Sequence, residues 1–183
     1  IDTARAEKLQ VRSYISCVFG CPYEGDIAVE RTVELAQKLL AVGADEIALG
    51  DTTGMADPAL VTRVLDGLSQ AGVPLDKIAV HFHDTRGTAL VNAYAAWQAG
   101  IRSFDGSIGG TGGCPYAPGA AGNAATEDLL YMFERMGCAT GVDLEAAAEV
   151  GVFMEEVLGR ELPGRFHRYW LGDQAKKSTV ATG

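Results

Sequence analysis

Two histidines, His81 and His83, are the residues of this chain whose type and spacing most clearly suggest chemistry. They stand two positions apart in KIAVHFHDT (Lys77–Thr85), a segment that we predict to be a strand. Side chains two apart on a strand point to the same face, so both imidazoles would meet while Phe82 packs on the opposite side. Such a pair favours binding of a divalent metal ion. The alternative is that one or both are hydrogen-bonded histidines of the core.

Oxygen donors elsewhere in the chain would complete such a site. Two imidazoles combined with oxygen ligands suit Mn²⁺, Mg²⁺, Fe²⁺ or Zn²⁺. Asp51 and Asp84 lie at the ends of predicted strands and Asn123 lies at the far end of a loop, so these three are candidate oxygen ligands. For the two aspartates, orienting the ligands or capping a helix is an equal alternative.

A further candidate is Cys114, which lies in the segment GGTGGCPYAPGAAGN (Gly109–Asn123). Its glycines and prolines exclude a helix or a strand interior and predict a mobile loop. Packing does not explain a cysteine in such a loop, so a reactive or proton-transferring thiol is one interpretation. A surface cysteine without a role is the other, and spacing alone leaves the two nearly even.

Four strand-then-helix units must position these residues. A helix is predicted after each of the strand segments Val11–Gly20, Asp45–Gly54, Lys77–Thr85 and Ile101–Gly110. Repeated units of this kind form parallel strands with right-handed crossovers, in a doubly wound sheet or in part of a (β/α)₈ barrel, and both place the site at the carboxyl ends of the strands. No G-x-G-x-x-G follows the first strand, which weakens the dinucleotide-binding version. A whole barrel has eight units, so four would form half of one.

The remainder of the chain is less regular. A further helix is predicted from Asp143 to about Leu158. Beyond it no periodicity predicts another element, residues from about 174 to 183 are predicted to be a disordered tail, and His167 is predicted to lie on the surface. We expect residues 1–183 to form a single catalytic domain.

Composition excludes several kinds of partner. The 183 residues carry a net charge of −9, and no cluster of Lys and Arg is longer than a pair. We therefore expect no binding to nucleic acid or to an anionic membrane surface. No apolar run reaches the roughly 18 residues of a membrane-spanning helix.

Four segments of the chain together resemble one known family. They are SCVFGCPYEG (Ser16–Gly25), EIALGDTTG (Glu46–Gly54), VHFHDTRGTAL (Val80–Leu90) and GGCPYAPGAAGNAATEDLLYM (Gly112–Met132). In this order they resemble the hydroxymethylglutaryl-CoA lyase family, along about residues 10–160. The resemblance implies a (β/α)₈ barrel with a helical C-terminal extension. It also implies cleavage of 3-hydroxy-3-methylglutaryl-CoA to acetyl-CoA and acetoacetate, dependence on Mg²⁺ or Mn²⁺, and a homodimer.

The same resemblance implies roles for particular residues. The cation would be held by an aspartate of the first barrel strand together with His81, His83 and Asn123. Cys114 would be the catalytic thiol, to which we assign protonation of the departing enolate, and Asp51 and Glu127 would affect activity. Asp51 is also our candidate for the base that takes the substrate's hydroxyl proton, with a histidine or a water as alternatives.

The chain departs from the family in lacking counterparts of the first four β/α units. It corresponds to the C-terminal half of the barrel, strands five to eight, so the metal shell within it would be incomplete. Two alternatives to the lyase stay open, a condensing acyltransferase of the isopropylmalate or homocitrate synthase type and a catalytically incomplete barrel fragment. We expect a location in a bacterial cytoplasm, with the mitochondrial matrix as the alternative.

Overall fold

A four-stranded parallel sheet forms the centre of the computed structural model, which describes residues 1–113 and 122–181. The strands are β1 (Arg12–Ile15), β2 (Glu46–Asp51), β3 (Ile78–Phe82) and β4 (Ser103–Asp105). They lie in the order β1-β2-β3-β4, and each pairs in parallel with the next. A doubly wound sheet reverses its order at a switch point, whereas consecutive order is that of a barrel arc. The predicted half-barrel is therefore confirmed for the described residues.

Helices cover one side of this arc and extend beyond it. They are α1 (Asp2–Ala6), α2 (Val29–Ala41), α3 (Pro58–Gln70), α4 (Ala89–Gln98), α5 (Thr126–Arg135), α6 (Leu144–Leu158) and α7 (Arg165–Ala181). Asp57 caps the start of α3, because its carboxylate accepts the N–H groups of Ala59 and Leu60 at 2.8 and 3.0 Å. None of the described helices is long and apolar enough to span a membrane.

The outer face of the sheet is the apolar one. Ile47 and Leu49 of β2 and Ile78 and Val80 of β3 are all at most 1% exposed. They belong to one buried cluster with the apolar side of α3. Burying each such side chain contributes about 1.5–3 kcal/mol, so this layer holds the helices on the arc.

The inner face carries small and charged side chains instead. Ala48 and Ala79 pair across β2 and β3, and charged residues stand on either side of them. Arg12 reaches Glu46 at 3.0 Å and Asp105 at 2.7 Å, so it ties β1 to its neighbour β2 and to β4 across the sheet. In a (β/α)₈ barrel this face is the one that points to the axis.

All four strands end earlier than the sequence predicts, and β1 and β4 fall short by the most. After Ile15 the backbone turns at Cys17, which has φ +58, and Val18 N–H donates to the Gly50 carbonyl at 3.1 Å. After Asp105 the chain enters a short 3₁₀ turn, Ile108–Gly110, with Gly109 at φ +59. A left-handed residue ends strand geometry, which the predicted apolar runs do not reveal.

The C-terminal region differs from the prediction. Helix α7 runs from Arg165 to Ala181, where we expected no regular element and a disordered tail from about residue 174. Asp128 starts this helix by accepting the N–H groups of Arg165 and Phe166 at 3.1 and 2.6 Å. His167, predicted to lie on the surface, has no exposed area, so that prediction is wrong. The cap lies 37 residues away in sequence, which a local pattern cannot show.

Candidate metal centre

His81 and His83 converge at the carboxyl end of β3, as their spacing predicts. His81 lies within the strand and His83 directly after it, and both rings point to the inner face. The Nε2 atoms of the two rings are 3.3 Å apart. The structure therefore brings two potential ligand nitrogens to one point at the rim of the arc.

Asp105 orients the first of these rings, although no motif in the sequence points to this residue. The carboxylate Oδ2 lies 3.2 Å from His81 Nδ1, while Oδ1 accepts from Arg12 at 2.7 Å. Burial raises the pKa of Asp105, but the hydrogen bonds from His81 and Arg12 outweigh it and leave that pKa below its ordinary value. A carboxylate on Nδ1 favours the tautomer with its lone pair on Nε2, which is the metal-binding form.

His83 sits in a drier environment than its neighbour. Its side chain is almost fully buried, at 8% exposure. Burial lowers the pKa of His83, the nearby His81 lowers it further, and a hydrogen bond with Asn123 partly opposes both. The neutral imidazole is the form that binds a cation, so this environment favours ligand chemistry over a charged side chain.

Asn123 is placed beside His83 by backbone pairing. Residues 122–124 run antiparallel to the end of β3, with His83 and Asn123 as bridge partners. Asp84 N–H donates to Gly122 O at 2.7 Å, and Ala124 N–H donates to Phe82 O at 3.0 Å. The Asn123 amide Nδ2 donates to the Thr111 carbonyl at 2.9 Å, so its oxygen is turned toward the imidazoles.

The donor set fits a divalent cation. Two nitrogens that each lie about 2.1 Å from one ion, at an angle of about 90–109°, stand about 3.0–3.4 Å apart. The observed separation of 3.3 Å lies within that range. Among the described residues no group of three or more His, Cys, Asp or Glu side chains could hold a metal, so this half of the barrel offers two imidazoles and an amide. Such a shell needs a further oxygen ligand, as the resemblance implies.

Asp51 lies on the other face of the sheet from this pair. In the register, Gly50 stands beside His81 whereas Asp51 stands beside Phe82, whose ring packs on Phe19 at 5.6 Å between centroids. Asp51 Oδ1 accepts the N–H groups of Met55 and Ala56 at 2.8 and 3.1 Å. These contacts hold the turn after β2, and the role of Asp51 as a base stays a prediction.

Replacing Asp51 with asparagine tests its buried charge. Burial raises the pKa of Asp51 to about 6, against hydrogen bonds that lower it. In the unfolded chain the pKa of an aspartate is near 3.9, so the folded protein keeps this proton up to a higher pH. The contribution of Asp51 to the free energy of unfolding is therefore present at acid pH and is lost as the pH rises from about 4 to 6. Two pKa units correspond to about 3 kcal/mol.

As the pH rises from 4 to 7, the free energy of unfolding of Asp51→Asn should therefore increase by about 3 kcal/mol relative to that of the parent protein. Urea unfolding at a series of pH values measures this difference, and other titrating groups cancel in it. A difference that stays constant across the range would contradict the buried charge.

The remaining predicted residues fall into separate places. Asp84 Oδ1 accepts the Ala89 N–H at 3.0 Å, so it serves the start of α4. Glu127 is fully buried in the first turn of α5, and both of its carboxylate oxygens accept the Gly109 N–H, at 2.9 and 2.8 Å. Cys114 lies outside the described residues, so its role stays a prediction.

Strand order and the side chains at the strand ends together define a class: half of a (β/α)₈ barrel with two imidazoles and an amide at the carboxyl ends of its strands. Comparison with known proteins then identifies the family. The model of the HMGL-like family matches residues 2–154, and the chain belongs to that family.

Individual relatives agree with this assignment. Hydroxymethylglutaryl-CoA lyase YngG of Bacillus subtilis is 52% identical over 164 residues, which are 90% of this chain and 54% of the relative. A crystal structure of the Bacillus subtilis HMG-CoA lyase aligns with a TM-score of 0.90 and 50% identity, over 92% of this chain and 56% of that one. An HMG-CoA lyase from Acinetobacter baumannii, in complex with coenzyme A and 3-methylmalate, aligns with a TM-score of 0.84 and 38% identity, over 91% of this chain and 54% of that one. The chain thus spans about half the length of these relatives.

Proposed function

We propose that the protein carrying this chain is a divalent-metal-dependent carbon–carbon lyase that cleaves 3-hydroxy-3-methylglutaryl-CoA to acetyl-CoA and acetoacetate. The observation that carries the proposal is the convergence of His81, His83 and Asn123 at the barrel rim of an HMGL-like chain. Its relatives named hydroxymethylglutaryl-CoA lyase support the substrate. Coenzyme A bound to the Acinetobacter lyase supports a CoA thioester.

The reaction breaks the bond between C2 and C3 of the acyl group. The C3 hydroxyl loses its proton to a base, the C2–C3 electron pair leaves on C2 as the enolate of acetyl-CoA, and that enolate takes up a proton. A divalent cation, when bound, supplies Lewis-acid polarisation of the hydroxyl and a substrate oxygen. Mg²⁺ and Mn²⁺ both suit oxygen-rich shells with two imidazoles.

The described residues prepare that site. Asp105 fixes the His81 tautomer, and the dry surroundings of His83 keep its imidazole neutral. Thr111 turns the Asn123 oxygen inward. Cys114 follows Thr111 closely in the sequence, and we assign it protonation of the enolate, because a cysteine thiol with a pKa near 8.5 is mostly protonated at neutral pH.

An assay of the purified protein tests the proposal. With Mg²⁺ or Mn²⁺ present, 3-hydroxy-3-methylglutaryl-CoA should yield acetoacetate and acetyl-CoA in equal amounts, and a chelator should stop the reaction. A parallel reaction with acetyl-CoA and a 2-oxo acid should release no free CoA. Release of CoA there, without acetoacetate in the first assay, would overturn the lyase in favour of a condensing acyltransferase. No turnover in either, with no bound metal, would favour an incomplete barrel fragment.

A further inference from the structure

Gly109, at the start of the glycine-rich segment, contacts the residues that join α6 to α7. Gly109 has φ +59, and its carbonyl accepts the Gly164 N–H at 2.9 Å. A Cβ on Gly109 would lie 2.2 Å from Leu162 Cδ1, and Leu162 is itself fully buried. With so little space between them, a shift of Leu162 must move Gly109 as well.

Glu127 holds the same glycine from the opposite side. Its two carboxylate oxygens share the Gly109 N–H, at 2.9 and 2.8 Å. Burial raises the pKa of Glu127, while its own backbone N–H, the Gly109 N–H and the nearby His167 oppose that rise. His167 is therefore near enough to interact electrostatically with the carboxylate that holds Gly109.

His167 itself is an unusual buried residue. It has no exposed area, and neither ring nitrogen has a hydrogen-bond partner among the described residues. Its Nε2 lies 3.4 Å from Glu155 Oε1, which is ion-pair distance without hydrogen-bond geometry. On α6 only a glycine admits the ring, because a Cβ on Gly151 would lie 2.5 Å from His167 Nδ1. Burying an unpaired polar ring costs free energy, so its place needs a local reason.

Glu155 supplies the connection. The Oε1 atom that faces His167 also accepts the Leu162 N–H, at 2.7 Å. Direct contacts therefore lead from His167 to Glu155, from Glu155 to Leu162, and from Leu162 to Gly109. Glu127 holds the other side of Gly109 through its two hydrogen bonds, and it interacts with His167 electrostatically.

We propose that His167 is a positioning residue, by which the C-terminal helix α7 fixes Gly109 and the rest of residues 105–113, which directly precede Cys114 in the chain. It acts through Glu155 and Leu162 on Gly109, and it does not touch the reacting atoms. The expected effect of His167 on kcat rests on the proposed function. The expected effect on amide exchange around Gly109 does not, so this proposal and the proposed function can fail separately.

Substitution of His167 tests the contact with Glu155. His167→Leu fills the space but removes both ring nitrogens, whereas His167→Gln keeps a donor near Glu155. We expect His167→Leu to exchange its amide hydrogens in residues 105–113 about tenfold faster and to lower kcat about tenfold, with KM and bound metal unchanged. His167→Gln should stay within about threefold of the parent protein in both. Equal exchange and equal kcat in all three proteins would overturn the proposal.

Two helical glycines provide a matched second test. A Cβ on Gly151 meets the His167 ring, whereas a Cβ on Gly172 of α7 meets nothing within 4 Å. We expect Gly151→Ala to speed amide exchange in residues 105–113, and Gly172→Ala to leave it unchanged, although both changes raise helix propensity. If the double variant Gly151→Ala, His167→Leu exchanges as slowly there as the parent protein, His167 is only a space filler and the proposal is wrong.

Amide exchange and activity, measured on the same proteins, distinguish the positioning role of His167 from the proposed function. Amide exchange in residues 105–113 can be measured whether or not 3-hydroxy-3-methylglutaryl-CoA is cleaved. Faster exchange in His167→Leu together with an inactive parent protein supports the positioning role and removes the lyase. Unchanged exchange with a fully active parent protein does the reverse.

Discussion

Replacing His83 with alanine is expected to lower kcat/KM for cleavage of the C2–C3 bond of 3-hydroxy-3-methylglutaryl-CoA at least about 1,000-fold, which is about 4 kcal/mol of transition-state stabilisation. The His83 Nε2 lies 3.3 Å from that of His81, so its removal leaves one imidazole and one amide in this half of the shell. Polarisation by a cation is worth several kcal/mol, and it is lost with the ion. Kinetics with 3-hydroxy-3-methylglutaryl-CoA and elemental analysis of bound metal measure the two effects together.

A graded companion variant shows whether the loss follows the metal. Asp105→Asn keeps the size of the side chain and removes the charge that faces His81 Nδ1. Loss of such an orienting group costs about 10–100-fold in metal affinity, so this variant should regain activity at higher Mg²⁺ or Mn²⁺ and His83→Ala should not. Full metal content in inactive His83→Ala would mean that the residue serves the reaction in another way.

The half-barrel and the histidine pair are predictable from the sequence because both depend on local periodicity. Alternation along KIAVHFHDT puts His81 and His83 on one face wherever the strand lies. Consecutive strand-then-helix units likewise limit the topology to few choices, and the structure adds the strand order that excludes a doubly wound sheet.

The contact of Asp105 with His81 and the face on which Asp51 lies are not predictable from the sequence, because both depend on the register between strands. Asp105 stands beside His81 only because β4 pairs with β3 in one particular register, and β4 has three residues. The position of Asp51 at a strand end predicts a place beside the histidines, yet the register puts it on the same face as Phe82. A shift of one residue would have reversed both outcomes.

His167 was missed for a different reason. Its burial depends on a gap in α6 at Gly151 and on a cap from Asp128, and neither neighbour is close in sequence. A polar residue in a segment without apolar periodicity predicts exposure, and packing complementarity between helices overrides that pattern here. Buried polar residues of this kind become visible only once the facing surface is known.

Gly109→Ala is expected to destabilise the protein by about 2–5 kcal/mol. The left-handed φ of +59 accounts for about 1–2 kcal/mol of that in any residue with a Cβ. The remainder, about 1–3 kcal/mol, comes from overpacking, because the new Cβ would lie 2.2 Å from the Cδ1 atom of the fully buried Leu162. Urea unfolding followed by circular dichroism gives the free energy of unfolding.

Gly72→Ala is the matched control that separates these two contributions. Gly72 has φ +78, so the backbone penalty is similar, but a Cβ added there would meet nothing within 4 Å. We expect Gly72→Ala to lower the free energy of unfolding by only about 1–2 kcal/mol. The difference between the two variants then measures how tightly Leu162 packs against Gly109. Equal losses would mean that Leu162 moves aside freely, in which case contact between α6, α7 and Gly109 would not fix the position of the loop.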